Sequence, residues 1–360
     1  MSLSSVRRAR RSWAGLVSAA VTVALVGTAG SAQAATTPAG HASDWLAGQL
    51  HHGVIHNGQY DFDDYGLTSD VVLALTATGF HPDAVAQART ALAKHVTDYT
   101  GPKKERYAGA LAKLLVVTEQ TGGGSRDFGG VDLVHRLSQR VSQSAPTVGR
   151  ISDRSKYGDN ANVVGQIFAA RGLVQVGASA SQDALKFLLR QQCQAGYLRL
   201  DFTKSKTSSH QGCTRTSPAD VDTTALFVIE LSAVQASSPD LPQALTKAKR
   251  WLLKHQHADG SFSGGPTTAP KNSNSTGLAG WALAVQHRCG AARDAAHWVR
   301  GKQVTGKSGA RLSDEKGAIA YDGTALKAAK KHGITQSARD QWRRATAQAA
   351  PLLALPGCVV

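Results

Sequence analysis

The sequence predicts an all-α fold in which six helical hairpins, about twelve helices, close into a ring around an axial cavity. Hydrophobic residues make up 42% of the 360 residues but aromatic residues only 6%, and 36 residues are glycine. This composition suits many short, closely packed helices better than a β-sandwich. A unit of about 54 residues recurs after residue 35 and has room for two helices and two loops. Because an open solenoid would need polar caps at both ends, six such hairpins predict a closed ring.

The first 34 residues have the pattern of an export signal. Residues 7–11 carry four arginines, residues 14–30 form a short apolar segment, and Ala32-Gln33-Ala34 is a cleavage site of small residues. We therefore expect a signal peptide over residues 1–34 and cleavage near Ala34. We also expect a secreted, extracellular protein without a stable membrane anchor, in which residues 35–360 form a single domain.

The first helix of each repeat is predicted to be amphipathic and to lie on the outside of the ring. In the clearest copy, Trp251-Leu252 is followed by Gln256 and then by the turn Asp259-Gly260-Ser261-Phe262. Charged residues such as Lys247 and Lys254 fill the other face of this helix. Similar copies begin at Trp45, Phe187 and Trp298, and weaker ones at Leu92 and Leu137.

The second helix of each repeat is rich in Ala, Leu and Val and apolar nearly all round, as a doubly buried helix is. Most of these helices are predicted to open with Asp, Asn or Ser, whose side chain accepts hydrogen bonds from the free N–H groups of the first turn. The openers would form a polar, partly acidic ring at one mouth of the cavity, which suits a sugar or a cation. The members of this ring are Asp70, Asn160, Asp222, Asn274 and Asp322.

The net charge of +16 favours encounters with anionic polymers or surfaces. The basic residues are nevertheless scattered, and no Lys/Arg run with interleaved aromatic residues is present. We therefore expect a solvated basic surface and no nucleic-acid partner.

Four cysteines follow the predicted signal peptide, and an even number in an oxidising compartment indicates two disulfides. Three pairings are possible. Closeness in sequence favours Cys193–Cys213, which leaves Cys289–Cys358 to hold the C-terminal tail. A metal site with His210 is the alternative, but no C-x2-C or H-x3-H spacing supports it, so we expect neither a metal nor a cofactor.

Two motifs carry a resemblance to a known family. The unit at 251–262 resembles the QW repeat of squalene–hopene cyclases, and residues 220–225 (Asp-Val-Asp-Thr-Thr-Ala) resemble their acidic D-x-D-D-T-A box. The chain thus resembles the α/α-toroid superfamily of terpenoid cyclases and protein prenyltransferases. More narrowly, it is similar to secreted actinobacterial prenyltransferase/squalene-oxidase-repeat proteins. The resemblance implies an (α/α)6 toroid.

The resemblance also implies catalytic roles, with Asp222 as the proton donor of a cyclase and Asp220 as its partner. Burial and a neighbouring carboxylate both raise the pKa of a carboxyl group and keep it protonated. The fourth acidic position of the box is Thr223 here, and the inner helices contain few aromatic residues to stabilise a carbocation. Because most inner helices open with a polar residue, we favour the interpretation of Asp222 as an N-cap.

Three functional hypotheses follow. We favour a monomeric secreted protein that binds a small molecule or cell-wall component, namely a lipid, isoprenoid or glycan, in or near the central cavity. The alternatives are a terpene-cyclase-like enzyme that protonates an isoprenoid with Asp222, and a glycan-active enzyme that uses Asp70 and Asp222 as opposed carboxylates.

Overall fold

Two concentric rings of helices make up the part of the chain that the computed structural model describes, residues 37–355 and 357–358. The outer helices are α1 (Pro38–Ala47), α3 (Pro82–Lys94), α6 (Leu133–Ser138), α8 (Ser181–Leu189), α10 (Leu241–His255) and α12 (Cys289–Arg300). The inner helices are α2 (Tyr65–Thr78), α5 (Ala108–Thr121), α7 (Val163–Gln175), α9 (Val221–Ser232), α11 (Ser273–Val285) and α14 (Gln336–Leu353). The predicted signal peptide and its cleavage site lie outside the described residues and stay predictions.

A few further elements join the two rings. The short helices α4 (Val96–Thr100) and α13 (Gly323–His332) follow α3 and α12, and 3-10 turns occupy Gln235–Ser237 and Ala310–Glu315. An antiparallel pair of two-residue strands, β1 (His56–Asn57) and β2 (Phe62–Asp63), precedes α2. The described residues therefore contain fourteen α-helices, because α4 and α13 add to the twelve of the predicted hairpins.

The inner helices pack side by side in chain order, and α14 packs back against α2. This contact closes the ring and confirms the prediction of six helical hairpins. The sixth inner helix is α14, however, and not the helix that Asp322 opens. That helix, α13, buries only Ala329 and ends in Lys330, Lys331 and His332, so it cannot serve as a doubly buried helix.

Three of the repeated glutamines join one outer helix to the next. The amide of Gln303, after α12, donates to the carbonyl oxygen of Pro38 at 2.8 Å and to that of Gly317 at 3.2 Å. Since Pro38 begins α1, this hydrogen bond joins the last outer helix to the first. The same pattern recurs earlier, from Gln192 to Ala244 and from Gln256 to Ala291.

In four repeat turns the glycine is required both by its backbone conformation and by its close approach to the next outer helix. Gly196 has a φ of 107°, a conformation that residues with a side chain rarely adopt. A Cβ at this position would also lie 2.5 Å from the carbonyl oxygen of Lys247 in the next outer helix. The turn can therefore approach that helix only as glycine, and Gly149, Gly260 and Gly317 are in the same situation.

A recurrent hydrogen bond fixes the position of five inner helices along the axis of the ring. Just after the turn glycine, the backbone N–H of Leu198 donates to Thr224 Oγ1 at 2.9 Å, near the start of α9. The same bond, also 2.9 Å long, is made from Ile55 to Thr68, from Ile151 to Gln166, from Phe262 to Thr276 and from Ile319 to Thr346. Five of the six inner helices are thus aligned, and equivalent positions on them lie at the same level of the ring.

Both expected disulfides are present. Cys193 pairs with Cys213 with a Cα–Cα distance of 5.1 Å, and Cys289 pairs with Cys358 with a Cα–Cα distance of 5.4 Å. The first ties the end of α8 to the irregular segment before α9, and the second ties the start of α12 to the segment after α14. Two disulfides are compatible with an extracellular location. No helix in the described ranges has the length and apolar character needed to cross a membrane.

Candidate functional site

The N-terminus of α9 is capped by Asp220 and not by Asp222. Asp220 has an extended backbone, and its Oδ1 accepts a hydrogen bond from the N–H of Thr223 at 2.7 Å. Asp222 lies inside the first turn of the helix. The interpretation of Asp222 as an N-cap is therefore wrong, because only the first of the two aspartates lies outside the helix, three residues before a free N–H group.

The predicted openers of three other inner helices are displaced in the same way. Asn162 caps α7 and Asn272 caps α11, each two residues away from the predicted Asn160 and Asn274. Asp64 caps α2, and Asp70 lies in its second turn. Each true cap accepts from the N–H three residues later, which leaves the predicted residue free for other contacts.

The alignment of the inner helices shows where these side chains lie. Thr224, Thr276 and Thr346 accept the recurrent hydrogen bond and therefore lie at one level of the ring. Asp222, Asn274 and Arg344 each precede one of these threonines by two residues, so they share a level near the mouth. Asp70 and Gln348 follow the equivalent threonine by two residues and so lie one turn deeper. The amide of Asn274 donates to Gln348 Oε1 at 2.7 Å, which joins the two levels.

The Asp222 carboxyl group is poised to hold a proton. Burial raises the pKa of Asp222 to about 6, and the charge of Asp220 adds to the rise, whereas the hydroxyl groups of Ser275 and Thr268 oppose it. Asp222 Oδ1 is buried and has no hydrogen-bond partner among the described residues. Asp220 thus contributes its charge to the raised pKa of Asp222, in addition to capping α9.

Asp70 is held in an ion pair. Lys113 Nζ on α5 donates to Asp70 Oδ1 at 2.7 Å, and the two side chains are 19% and 26% exposed. Burial alone would lower the pKa of Lys113, but the charge of Asp70 and the hydrogen bond to it raise that pKa above its ordinary value. The ammonium group also lies 5.8 Å from the centre of the Phe168 ring. Asp70 is therefore committed to Lys113 and is not a free second carboxylate.

A cleft of about 400 Å³ opens beside this ion pair, between α5 and α7. Its lining combines three aromatic rings with charged and hydrogen-bonding side chains, principally Tyr99, Tyr107, Phe168, Lys113, Asp153 and Asn160. Burial raises the pKa values of Tyr99 and Asp153. We call this space the mouth cleft.

Three apolar side chains on the inner helices are nearly inaccessible to solvent. Phe168, Leu278 and Ile229 are 4%, 3% and 8% exposed.

Asp322 lies near the mouth although it does not open an inner helix. Its Oδ1 accepts from the N–H of Ala325 at 2.8 Å and caps α13. The preceding Tyr321 is partly buried, and burial together with the charges of Asp222 and Asp322 raises the pKa of its hydroxyl group. All five predicted ring residues thus lie at this end of the protein, but only Asp222 and Asn274 share a level.

Sequence reasoning missed several polar residues of the mouth, above all Lys113 and Arg344. Lys113 is the one charged residue of the apolar segment 110–117, and that isolation is a signal for a buried ion pair. Arg344 donates to Asp64 Oδ2 at 2.6 Å. The sequence did not indicate Arg344 as a mouth residue, because α14 was not recognised as an inner helix. Within the described ranges, no three His, Cys, Asp or Glu side chains come together as a metal site.

No protein-family model and no curated protein sequence matches this chain. Solved structures match most of it. The type II terpene cyclase MstE from Scytonema superposes with a TM-score of 0.60 at 13% identity, over 88% of this chain and 96% of that one. An unsaturated glucuronyl hydrolase specific for heparin gives 0.59 at 11% identity, over 88% and 95%. A protein from Actinoplanes gives 0.58 at 17% identity, over 88% and 98%.

This chain is an (α/α)6 toroid. The helical double ring and the match over nearly the whole length of these structures both lead to that assignment. At 11–17% identity the likeness shows the fold alone, and the matched proteins include both a terpene cyclase and a glucuronyl hydrolase. The function of this toroid must therefore be argued from its own mouth residues.

Proposed function

We propose that this toroid binds a glycan-type ligand in the mouth cleft. The observation that supports this proposal is the lining of the cleft, in which the aromatic rings of Tyr107 and Phe168 lie beside polar and charged side chains. These polar residues are Lys113, Asp153 and Asn160. Sugar rings present apolar faces that pack on aromatic rings and hydroxyl groups that pair with amide, carboxylate and ammonium groups. A volume of about 400 Å³ is sufficient for one or two sugar residues.

The same features disfavour a lipid or isoprenoid ligand. A long hydrocarbon chain needs a dry apolar cavity of matching length. Phe168, Leu278 and Ile229 on the inner helices are buried, and the mouth itself contains the Asp70–Lys113 ion pair. The free-energy cost of entering such a site is therefore lower for a polar ligand than for an apolar one.

The proposal can be tested by saturation-transfer NMR against chito-, cello- and manno-oligosaccharides, with farnesol as the isoprenoid probe. We expect at least one oligosaccharide to bind, and Tyr107→Ala and Asn160→Ala to weaken binding at least tenfold. Tyr60→Ala, an exposed tyrosine on the β1–β2 turn that is 69% exposed, is the matched control and should bind as the wild type does. Binding of farnesol alone, or equal loss in the control, contradicts the proposal.

A second candidate function is acid catalysis by Asp222. It is supported by the unpartnered, buried Oδ1 and by the pKa of about 6, both of which suit a general acid near neutral pH. In a terpene-cyclase-like reaction, Asp222 would protonate an isoprenoid alkene or epoxide. A cyclic product that the wild type makes from a linear terpene, and that Asp222→Asn does not make, would support this candidate. A glycan-cleaving pair with Asp70 has less support because Asp70 is committed to Lys113.

We place the protein outside the cytoplasm. The export pattern of residues 1–34 and the two disulfides support this location. Material secreted by the native host should begin close to residue 35 and contain no free thiol. An N-terminus at Met1 or free cysteines in secreted material would contradict the assignment.

A further inference from the structure

A second candidate site lies far from the mouth, on three consecutive outer helices. We call it the basic outer face and define it by six cationic residues on or flanking α8, α10 and α12. These residues are Lys186, Arg190, Lys247, Lys249, Arg250 and Arg288. The acidic residues within the same helices are only two, Asp183 and Asp294.

Part of this face is concave. A cleft of about 410 Å³ lies between α8 and α10. Lys186, Arg190 and Lys247 line it with a single acidic residue, Asp240, and with polar groups that include Gln243. The three cationic side chains are exposed, so they can converge on a bound anion.

The charges of the basic outer face are not compensated within the described ranges. None of its six cations makes an ion pair there, whereas Lys113, Arg339 and Arg344 elsewhere on the molecule do. Burial, together with the nearby Arg288 and Arg250, lowers the pKa of Lys249. Like charges thus lie close together without forming an ion pair with any described residue, and an anion from outside would relieve their repulsion.

We propose that the basic outer face binds a linear anionic polysaccharide. The 15 residues of α10 span roughly 22 Å, which several sugar residues of an extended chain would cover. Oxyanions repeated along such a chain match a row of lysine and arginine side chains better than a single small anion does. The side chains that line this cleft include no aromatic ring on which nucleic-acid bases could stack. The proposal is independent of glycan binding at the mouth, since the two surfaces share no residue.

The test is a titration of the full-length protein with fluorescent alginate oligomers at 20 to 200 mM salt. We expect the triple variant Lys186→Gln/Arg190→Gln/Lys247→Gln to bind at least tenfold more weakly and with a shallower salt dependence. The matched control removes three exposed lysines from α13, as Lys327→Gln/Lys330→Gln/Lys331→Gln, and should change binding less than twofold. The triple variant Lys186→Gln/Arg190→Gln/Lys247→Gln should bind the neutral oligosaccharides of the mouth cleft as the wild type does, which separates this proposal from the proposed function.

Several outcomes would overturn the inference. These are no alginate binding at 20 mM salt, equal losses in the two triple variants, and an equal loss of neutral cello-oligosaccharide and alginate binding in the triple variant Lys186→Gln/Arg190→Gln/Lys247→Gln. Tighter binding of polyphosphate or duplex DNA by the same residues would overturn the assignment of a polysaccharide. Thermal melts of both triple variants exclude unfolding as the cause of a loss, and the double variant Lys186→Gln/Lys247→Gln replaces the triple one if Arg190 proves necessary for folding.

Discussion

Replacing Asp222 with asparagine should stabilise the toroid above pH 6, because the folded state disfavours the ionised carboxylate. Burial raises the pKa of Asp222 from 3.8 to about 6. At ~1.4 kcal/mol per pKa unit, this rise corresponds to at most about 3 kcal/mol. Since Asp222 keeps partial solvent exposure, we expect a gain of about 1–2 kcal/mol at pH 7.5.

The sign of the pH dependence follows from the direction of the shift. A carboxyl group whose pKa is raised on folding destabilises the protein above its folded pKa, and this cost disappears below its unfolded pKa. Wild type and Asp222→Asn should therefore have similar stability below pH 3.8, diverge between pH 3.8 and about 6, and differ by a constant amount above about pH 6.

Urea unfolding at pH 4 and pH 7.5 measures both effects. The matched control is Asp322→Asn, in which the amide oxygen still caps α13 and the stability should change little at either pH. A loss of stability in Asp222→Asn, or a gain that is the same at both pH values, would refute the argument from burial.

Three further predictions concern the ring itself, and thermal or urea unfolding measures each of them. Gly196→Ala should destabilise the protein by several kcal/mol, because φ is 107° and a Cβ would lie 2.5 Å from a backbone oxygen; stability within ~0.5 kcal/mol of the wild type contradicts this. Gln303→Ala should cost about 1–3 kcal/mol, since it removes the donor that joins α12 to Pro38 at 2.8 Å; an unchanged melting temperature would show that the link is dispensable. Lys113→Met should cost about 1–3 kcal/mol by leaving Asp70 without its partner, and the added change Asp70→Asn should restore most of the loss; a double variant as unstable as Lys113→Met counts against the ion pair.

The ring was predictable because its repeat contacts depend on single residue types at fixed spacing. A turn glycine such as Gly260 and a glutamine such as Gln256 make the same structural contact in several repeats, so their recurrence can be seen in the sequence. The disulfides were predictable from the number of cysteines and their spacing.

The capping residues were misplaced because two polar candidates lie two residues apart at three helix starts. In Asp220-Val221-Asp222 either aspartate has the right chemistry, and the preceding loop decides which one takes the extended backbone. The consequence is functional, since the residue that does not cap is the one left with an unpartnered carboxyl oxygen.

The sixth inner helix was missed because α14 is 18 residues long and only its second half belongs to the ring. Its first half carries Arg339, Asp340 and Arg343, which bind Glu315, Asn57 and Gln49 outside the axis. Because of these charged residues, the sequence of α14 does not have the apolar pattern of an inner helix. By contrast, Asp322-Gly323-Thr324-Ala325 has the sequence pattern of an N-cap and first turn, so α13 was predicted as the inner helix instead. Distinguishing the two helices requires the packing against α11 and α2, which a local sequence pattern does not contain.

If the mouth cleft between α5 and α7 holds a glycan-type ligand, that ligand should remain bound to protein secreted by its own host and be detected by native mass spectrometry. We expect a bound mass that matches one or more sugar residues in the wild type and in Tyr60→Ala. The same mass should be absent or much reduced in Tyr107→Ala and Asn160→Ala secreted under the same conditions. A bound mass that matches an isoprenoid, or a sugar mass that persists in both cleft variants, would contradict the account.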